Sequence, residues 1–390
     1  MTARNPIRDQ VAIVGLGSTG FSRDAGGRSS KALACEASIR AIRDAGLGAR
    51  DIDGLVGAAE PGGPGPNQMS AALGLPQVTH FSSPTPVAVF ALVDAMNAIF
   101  SGACETVLLY FSYMRLPWNS RSAAADPFRR GQAVGVMPSP ESVNAAAAYA
   151  AWASRYVYEY DVPREVFGRV ALNGRAGAAL NPLAAMKAPL SMEGYLKARM
   201  IREPLCLLDM DVPVDGADAF VLTTTERARK LSASPVVIHA ATTGLVGEND
   251  EDQLPSLARH GQHVVAQSLR AKSDLWLEDV DVFFPYDGFS IITLGWIENL
   301  GWCAPGGAGR FLEEHWDEGM GRVMINGRVP MNPHGGSLSE GATRGSGHIR
   351  EAVTQLRGEA GERQVAGART ALIGCGGFFF NSQGAVLRRL

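Results

Sequence analysis

The sequence predicts an α/β protein built from two similar halves, and three observations predict it. Strand-like apolar runs alternate with helix-like segments along all 390 residues, a pattern typical of layered folds with largely parallel sheets. The pattern restarts at PVVIHAATT (Pro235–Thr243). No low-complexity linker separates the two parts. We therefore expect two halves, residues 1–230 and 231–390, that pack as one unit.

The first half contains a helical insertion between its predicted strands Thr106–Phe111 and Ala219–Thr225. Its regular elements are, in order, the strand Val11–Gly15, a helix over about Ser30–Ala45 after a serine-rich cap, the strand DGLVG, a helix near Pro86–Phe100, the strand Thr106–Phe111, the strand Ala219–Thr225 and the helix ERARKL. The section at about residues 112–204 is rich in Ala, Met, Arg and Pro. It is predicted to be a helical excursion that covers a site.

The second half repeats the alternation of strands and helices. Its elements are, in order, the strand Pro235–Thr243, a helix over Leu257–Ala271, the strand Val280–Tyr286, the helix SIITLGWIENLG, a glycine-rich loop, the helix HIREAVTQLRG and the closing strands RTALIGC and GAVLRRL. The two halves therefore indicate an internal duplication of structure.

Composition and charge exclude several classes of function. Hydrophobic residues make up 46% and charged residues 19%, and the net charge of −3 provides no basic surface for nucleic acid. No apolar run approaches the roughly 20 residues that a membrane span requires. The N-terminal MTARNPIRDQ leads into a strand rather than resembling a signal peptide. We expect a cytoplasmic location and no membrane span.

Cysteine and histidine spacing predicts no metal site. The five cysteines are scattered without a CxxC pair, which argues against both a zinc site and a disulfide framework. His260 and His263 have an HxxH spacing on a predicted helix, but a third ligand is not evident and the helix face is polar. Cys375 differs from the other cysteines because it lies in the glycine loop CGG.

The motif GLGSTG (Gly15–Gly20) has the GxGxxG spacing of dinucleotide-binding sites. Such a site needs a helix that begins inside the motif, so that its N-terminus meets the pyrophosphate. Here the polar segment FSRDAGGRSS follows, and the helix is predicted to start about ten residues later. A strand followed by a loop is the better interpretation, and we expect no cofactor of the protein's own.

Two segments carry candidate catalytic residues. FPYDGFS ends a buried strand with Tyr286 and Asp287, at the sheet edge where α/β proteins place ligands. The alternative is that Tyr286 only packs and Asp287 caps the next helix. His334 lies in the glycine-rich MNPHGGSLSEGATRGSGHI, where it can act with exposed backbone N–H groups on a carbonyl oxygen. A structural histidine is the alternative there.

Several segments together resemble the thiolase superfamily. NPHGGSLSEGATRGSG resembles the family's glycine-rich catalytic loop, and CGG at Cys375 resembles its C-terminal Cys-x-Gly loop. PVAVFALVDAMNAIFSGACETVLL resembles the nucleophile helix with the strand that follows it. VDGADAFVLTTTERARKL resembles the strand and helix that close the first half. This resemblance implies a duplicated five-layer αβαβα fold, a homodimer and an acyl-CoA ligand.

The departures from the thiolase pattern concern the chemistry. The position that holds the nucleophilic cysteine in thiolases falls at Thr85, and Gly341-Ala342-Thr343 replaces the family's Gly-His-Pro. A threonine hydroxyl without a base is a poor nucleophile, unlike a thiolate. Only Cys375 and His334 remain from the set that the resemblance implies.

Finer features are similar to the steroid side-chain-cleaving aldolases of the sterol-carrier branch. The segments that carry this likeness are PLCLLDMDVPVDGADAFV, YDGFSI and NPHGGSLSEG followed by HIREAVTQLRG. The resemblance implies a catalytic tyrosine at Tyr286. It also implies a small OB-fold, zinc-ribbon partner that binds acyl-CoA, in a heterotetramer.

A retro-aldol cleavage of a β-hydroxyacyl-CoA fits the missing cysteine, because it needs no acyl-enzyme. We expect Tyr286 to act as base or proton relay, tuned by Asp287, with its pKa lowered from the ordinary value near 10. His334 would hold the thioester oxygen, and Cys375 would reprotonate Cα. Further residues expected at the substrate site are Thr85, Gly335, Gly336, Glu340, His348, Gly376 and Gly377.

Two alternatives stay open from the sequence. One is a true acyltransferase that uses Cys375 or an unrecognised nucleophile. The other is a non-catalytic subunit that binds acyl-CoA or lipid.

Overall fold

The computed structural model describes residues 5–58, 63–84, 87–115, 145–231, 234–246, 256–378 and 382–390. Within these ranges the strands are β1 Val11–Ser22, β2 Gly54–Gly57, β3 His80–Ser82, β4 Thr106–Tyr113, β5 Met200–Arg202, β6 Leu205–Cys206, β7 Asp215–Thr224, β8 Val236–Gly244, β9 Val282–Pro285, β10 Trp316–Asp317, β11 Arg322–Ile325, β12 Val329–Pro330, β13 Thr370–Cys375 and β14 Ser382–Arg389.

The helices in the same ranges are α1 Ser30–Asp44, α2 Pro66–Leu73, α3 Ala88–Phe100, α4 Ala145–Tyr160, α5 Glu165–Ala179, α6 Met192–Leu196, α7 Thr225–Ala228, α8 Gly261–Lys272, α9 Ser290–Leu300, α10 Ala308–Glu314, α11 Gly336–Ser339 and α12 Ser346–Arg357. Helix ends follow local sequence. Ser29 accepts a hydrogen bond from the backbone of Ala32 at the start of α1, and left-handed glycines, Gly301 and Gly358, end α9 and α12.

The two halves order their strands in the same way when each is read outward from the place where the halves meet, at the pair β1–β8. From that place the first half runs β1-β7-β4-β2-β3 and the second half runs β8-β14-β13-β9. An isolated parallel bridge between Phe283 and Met331 places the segment after β12 beside β9, as β3 lies beside β2. Both halves thus share one topology. The boundaries 1–230 and 231–390 stay a prediction.

Helices cover the sheets in layers. The helices α3 and α12 contact strands of both halves and occupy the middle of the molecule. Helices α1 and α2 pack on the outer face of the first-half strands, whereas α8 and α9 pack on strands of the second half. The predicted α/β class, with the duplicated five-layer αβαβα arrangement, is confirmed. Among the described residues, no helix has both the length and the hydropathy to cross a membrane.

The expectation of largely parallel sheets holds for the strand directions within each half, where one strand runs opposite to the others. The pairs β2–β3, β2–β4 and β9–β13 are parallel, but every other pair recorded in the large sheet is antiparallel. The reason is topological. The last strand of each half, β7 or β14, returns between its neighbours in the opposite direction, and helix-strand alternation along the chain does not reveal that reversal.

The motif GLGSTG lies entirely inside β1, rather than in a loop after a shorter strand. A Cβ at Gly15 would lie 2.2 Å from the carbonyl oxygen of Ala41, and one at Gly17 would lie 2.1 Å from that of Ala37. These glycines therefore let α1 pack closely on β1. They serve packing and not a pyrophosphate.

The predicted excursion is helical where the structure describes it. Helices α4, α5 and α6 and the short hairpin β5–β6 lie in residues 145–206, while 116–144 lie outside the described residues. Helix α5 contacts both α11 and α9. The excursion therefore packs against the glycine-rich loop, as the sequence predicts for a segment that covers a site.

Candidate active site

The predicted site segments meet at the ends of β9 and β13. The side-chain amide of Asn332 donates to the carbonyl oxygen of Pro285 over 2.7 Å, which ties the glycine-rich loop to the end of β9. Asp287 accepts from the backbone N–H groups of Ser337 at 2.6 Å and Leu338 at 3.3 Å. Asp287 therefore caps α11 in the glycine-rich loop rather than α9, the next helix along the chain, whose N-cap Phe289 makes no side-chain cap hydrogen bond.

The glycines of the loop are required by close contacts. A Cβ at Gly336 would lie 2.0 Å from Asp287 Oδ2, and Gly336 has φ +59°. Gly335 has φ +109°, and a Cβ there would lie 2.7 Å from the Cβ of Ala178 on α5. Only glycine fits such positions without strain. Both glycines shape the site rather than offering a side chain to a substrate.

His334 is completely buried beside a second histidine. Its ring lies 4.9 Å from that of His348 and 5.7 Å from that of Phe284, measured between centroids. Burial lowers the pKa of His334 well below its ordinary value, and the charges of His348, Arg350 and Arg363 act in the same direction. The imidazole is therefore neutral at physiological pH, with one N–H to donate.

Glu340 is held in place by two residues of other elements. Its Oε1 accepts from Asn181 Nδ2 at 2.6 Å and from the guanidinium of Arg350. Arg350 also pairs with Asp218 of β7, at 3.1 Å. Burial raises the pKa of Glu340, against the opposing effect of Arg350. This buried network connects the loop to the first half of the chain.

Several buried polar atoms of the loop have no hydrogen-bond partner among the described residues. They are Asn332 Oδ1, His334 Nδ1 and Nε2, Ser337 Oγ, Glu340 Oε2 and His348 Nδ1 and Nε2. Of these, Glu340 Oε2 lies 3.8 Å from His334 Nε2 and His348 Nε2 lies 3.3 Å from Asp287 Oδ1. Buried polar groups are normally hydrogen-bonded, and each unmade bond costs about 1–3 kcal/mol. Such a concentration is typical of a site that binds a polar group.

Tyr286 lies beside this cluster with 7% of its surface exposed. Its ring centroid is 5.6 Å from that of His348. Burial raises the pKa of Tyr286 well above its ordinary value of 10.0, with Asp211 adding to that increase and Arg344 opposing it. The expectation that the site lowers this pKa is therefore wrong. The phenol is protonated in the resting protein, because burial disfavours the phenolate.

Cys375 ends β13 with its thiol fully buried. Its Sγ lies 3.8 Å from the carbonyl oxygen of Arg344. A Cβ at Gly345 would lie 2.2 Å from the same sulfur. Burial raises the pKa of Cys375 to about 12, although backbone N–H groups at the start of α3 act in the opposite direction. The thiol is therefore protonated at neutral pH and can donate a proton, whereas a nucleophile would need the thiolate.

The other loop positions have structural partners or lie outside the described residues. The carbonyl of Gly376 accepts from Trp296 Nε1 at 2.9 Å, and that of Gly377 accepts from the hydroxyl of Ser382 at 2.6 Å. Thr343 accepts from the backbone of Gly347 at 3.1 Å and supplies no base. The prediction for Thr85 falls outside the described residues.

The sequence interpretation missed residues that complete the site. The hydroxyl of Tyr113, at the end of β4, donates to the carbonyl of Thr343 over 2.5 Å. Asn181 of the excursion donates to the carbonyl of His334 over 2.8 Å, and Asp218 holds Arg350. An available signal was the pair of carboxylates within the apolar strand VDGADAFVL, because a buried carboxylate needs a partner.

His260 and His263 are placed differently from the shared polar helix face that the sequence predicts. Helix α8 begins at Gly261, and His260 precedes it as a buried N-cap whose Nδ1 accepts from Gln262 at 3.3 Å. His260 and His263 therefore do not share a polar helix face. Within the described ranges, no group of three or more His, Cys, Asp or Glu is arranged to hold a metal ion.

Known proteins are similar to this chain in sequence and in fold. Residues 246–389 match the family described as thiolase C-terminal domain-like. The steroid side-chain-cleaving aldolase of Thermomonospora curvata is 35% identical over 370 residues, covering 89% of this chain and 90% of that protein. This chain belongs to the thiolase superfamily.

Two further comparisons agree with the finer resemblance. The 17-hydroxy-3-oxo-4-pregnene-20-carboxyl-CoA lyase of Mycobacterium tuberculosis is 34% identical, covering 95% of this chain and 97% of that protein. The solved Ltp2-ChsH2(DUF35) aldolase superposes with a TM-score of 0.84 at 32% identity, covering 98% of both chains. The prediction of a thiolase-superfamily enzyme similar to the steroid side-chain-cleaving aldolases is confirmed.

Proposed function

We propose that this protein cleaves a β-hydroxyacyl-CoA of the steroid side-chain type by a retro-aldol reaction. The products are a ketone and a shortened acyl-CoA, and no covalent acyl-enzyme forms. The observation that carries the proposal is the concentration of unpartnered buried polar atoms around His334, next to a cysteine whose thiol is protonated. Such a site stabilises an enolate but offers no thiolate for acyl transfer.

The reaction requires three actions of the protein. The β-hydroxyl proton leaves through Tyr286, the Cα–Cβ bond breaks as the ketone forms, and its electron pair becomes the acyl-CoA enolate. The N–H of neutral His334 holds the thioester oxygen as negative charge develops there. One such donor contributes about 3 kcal/mol, or roughly a hundredfold in rate. Cys375 then protonates Cα.

Glu340 and His348 complete this proposal as residues that position His334. Glu340 Oε2 faces His334 Nε2 across 3.8 Å, and the ring of His348 stands perpendicular to that of His334, with 79° between the planes. The substrate therefore meets an imidazole that is flanked by a carboxylate on one side and by a second imidazole on the other.

The deciding experiment follows products and protein mass together. The purified protein is incubated with a β-hydroxyacyl-CoA that bears a steroid-like tertiary alcohol, with and without an OB-fold, zinc-ribbon subunit. We expect a ketone and a shortened acyl-CoA, with no mass added to the protein. A persistent acyl adduct would establish the acyltransferase instead, and intact bound substrate would establish a non-catalytic carrier.

We also propose that the chain works as a homodimer with a partner subunit in a heterotetramer. The solved aldolase with the same fold is named with a DUF35 partner. Support for self-association comes from β3, which is outermost in the large sheet. Its central residue, Phe81, is 70% exposed. An unpaired edge strand with an exposed aromatic side chain is suited to pairing with a second copy.

The dimer proposal predicts that Phe81→Asp gives a monomer in analytical ultracentrifugation, because a charge at the paired edge opposes association. Tyr158→Asp is the matched control, since Tyr158 is 84% exposed and belongs to helix α4 of the excursion rather than to the edge strand. This control should sediment like the wild-type protein. A Phe81→Asp variant that remains dimeric would place the interface elsewhere.

A further inference from the structure

The inference concerns the proton that leaves through Tyr286, and it rests on the proposed retro-aldol function. A buried phenol that is already protonated cannot act as a base by itself. It can pass a proton on only if a second group accepts its own proton in the same step. The side chain of Tyr286 therefore requires a neighbouring acceptor.

Four titratable residues act electrostatically on the Tyr286 hydroxyl: Asp211, Arg344, Cys375 and Asp287. Asp287 already accepts two backbone N–H groups and faces His348. Cys375 is neutral because its thiol is protonated. Asp211 and Arg344 carry the other two charges, which are opposite in sign.

The backbone places Asp211 next to Tyr286. The N–H of Asp211 donates to the carbonyl of Gly288 over 3.0 Å, and Met210 forms an antiparallel bridge with Phe289. The Tyr286 ring folds back over that same turn, since a Cβ at Gly288 would lie 2.9 Å from the phenol oxygen. Residue 211 thus runs alongside the turn that presents the hydroxyl.

Asp211 and Arg344 are both more exposed to solvent than Tyr286. Asp211 is half-buried and Arg344 is exposed, whereas Tyr286, His334 and Cys375 are all buried. Arg344 holds a left-handed conformation with φ +49°, which is uncommon for a residue with a side chain and is often found at functional sites. Its carbonyl accepts from the N–H of Ala88 over 3.0 Å, which fixes this turn of the loop.

We propose that Asp211 accepts the phenolic proton of Tyr286 as Tyr286 takes the β-hydroxyl proton of the substrate, with Arg344 as the counter-charge. One O–H bond breaks on the substrate and one forms on Tyr286, while the Tyr286 proton moves to the Asp211 carboxylate. Cα later receives its proton from Cys375, and the thiolate left behind regains a proton as Asp211 gives up the one it gained. The cycle therefore has no net proton change and needs no oxidant or reductant.

The test compares Asp211→Asn with Asp211→Glu and with Glu318→Gln, which removes an exposed carboxylate elsewhere on the surface. We expect Asp211→Asn to lower kcat roughly a hundredfold with KM unchanged, and Asp211→Glu to restore part of the loss. A plot of kcat against the deuterium fraction of the solvent should be curved for the wild-type protein, because two protons move in the same step. The same plot should be linear for Asp211→Asn, because one proton moves.

The sign of the rate change separates this relay from a simple electrostatic role. The charge of Asp211 raises the pKa of Tyr286, so its removal makes the phenol more acidic. If Tyr286 alone were the base, Asp211→Asn would therefore turn over faster at neutral pH. A faster or unchanged kcat would overturn the relay.

Failure of the relay can be distinguished from failure of the proposed function. If the wild-type protein cleaves no β-hydroxyacyl-CoA, the function itself is wrong. In that case fluorotyrosine labelling still tests the contact, with the Tyr286 resonance assigned by Tyr286→Phe. A fluorine resonance that shifts in Asp211→Asn and not in Glu318→Gln supports the pairing, and one that stays in place in both overturns it.

Discussion

Replacing Tyr286 with phenylalanine is expected to lower kcat by at least about a hundredfold, because it removes the only phenol at the end of β9 and keeps the buried ring. Binding of the CoA thioester should stay within about twofold, since the ring and its contact with His348 remain. Single-turnover kinetics gives the rate of cleavage, and calorimetry with a non-cleavable acyl-CoA gives the affinity.

Tyr110→Phe is the matched control for that experiment. Tyr110 is also a buried tyrosine, and its hydroxyl donates to the carbonyl of Pro64 over 2.9 Å. It belongs to the hydrophobic cluster under α1, and Tyr286 belongs to the other one. Loss of its hydroxyl should cost about 1 kcal/mol of stability with no change in kcat. Equal turnover in Tyr286→Phe and Tyr110→Phe would remove Tyr286 from the mechanism.

The sequence predicted the segments of the site because they carry local signals. Tyr286 and Cys375 follow apolar strands, and His334 lies in a loop whose glycines are needed for close approach. Strand ends in an α/β fold converge at one edge of the sheet. The structure indeed brings these three segments together, and the ring and backbone contacts between them follow from that convergence.

The partners of these residues could not be predicted from the same signals. Arg350 lies in HIREAVTQLRG, which has the alternating charges of a solvated helix, yet its side chain is buried between Asp218 and Glu340. Asn181 comes from the excursion, more than a hundred residues before the loop. Such contacts depend on how layers stack, which residue spacing within one element does not specify.

The direction of the Tyr286 pKa shift was missed for a related reason. A tyrosine that acts as a base suggests a lowered pKa, but burial acts on the phenolate more strongly than the nearby Arg344 does. The amount of burial is a property of the packed molecule. The mechanism consequently requires a proton acceptor beside Tyr286, rather than a phenolate in the resting protein.

Replacing Arg350 with methionine is expected to lower the free energy of unfolding by about 3–5 kcal/mol, because it leaves two buried carboxylates without their shared cation. Arg350 bonds Asp218 on β7 and Glu340 in the glycine-rich loop. The loss should appear in urea unfolding as a lower midpoint with an unchanged slope. It should also release Glu340, so that His334 loses its orientation and kcat falls with stability.

Arg310→Met provides the comparison, since Arg310 pairs with Glu314 on the exposed face of α10. That pair should contribute less than about 1 kcal/mol because solvent screens it. Combining Arg350→Met with Asp218→Leu and Glu340→Met should recover much of the lost stability, since an apolar triad has no charge to desolvate. Activity should not return with it, because the apolar residue at 340 cannot orient His334. Recovery of both would mean that the buried charges serve folding alone, whereas recovery of stability without turnover would assign this network to the chemistry of the loop.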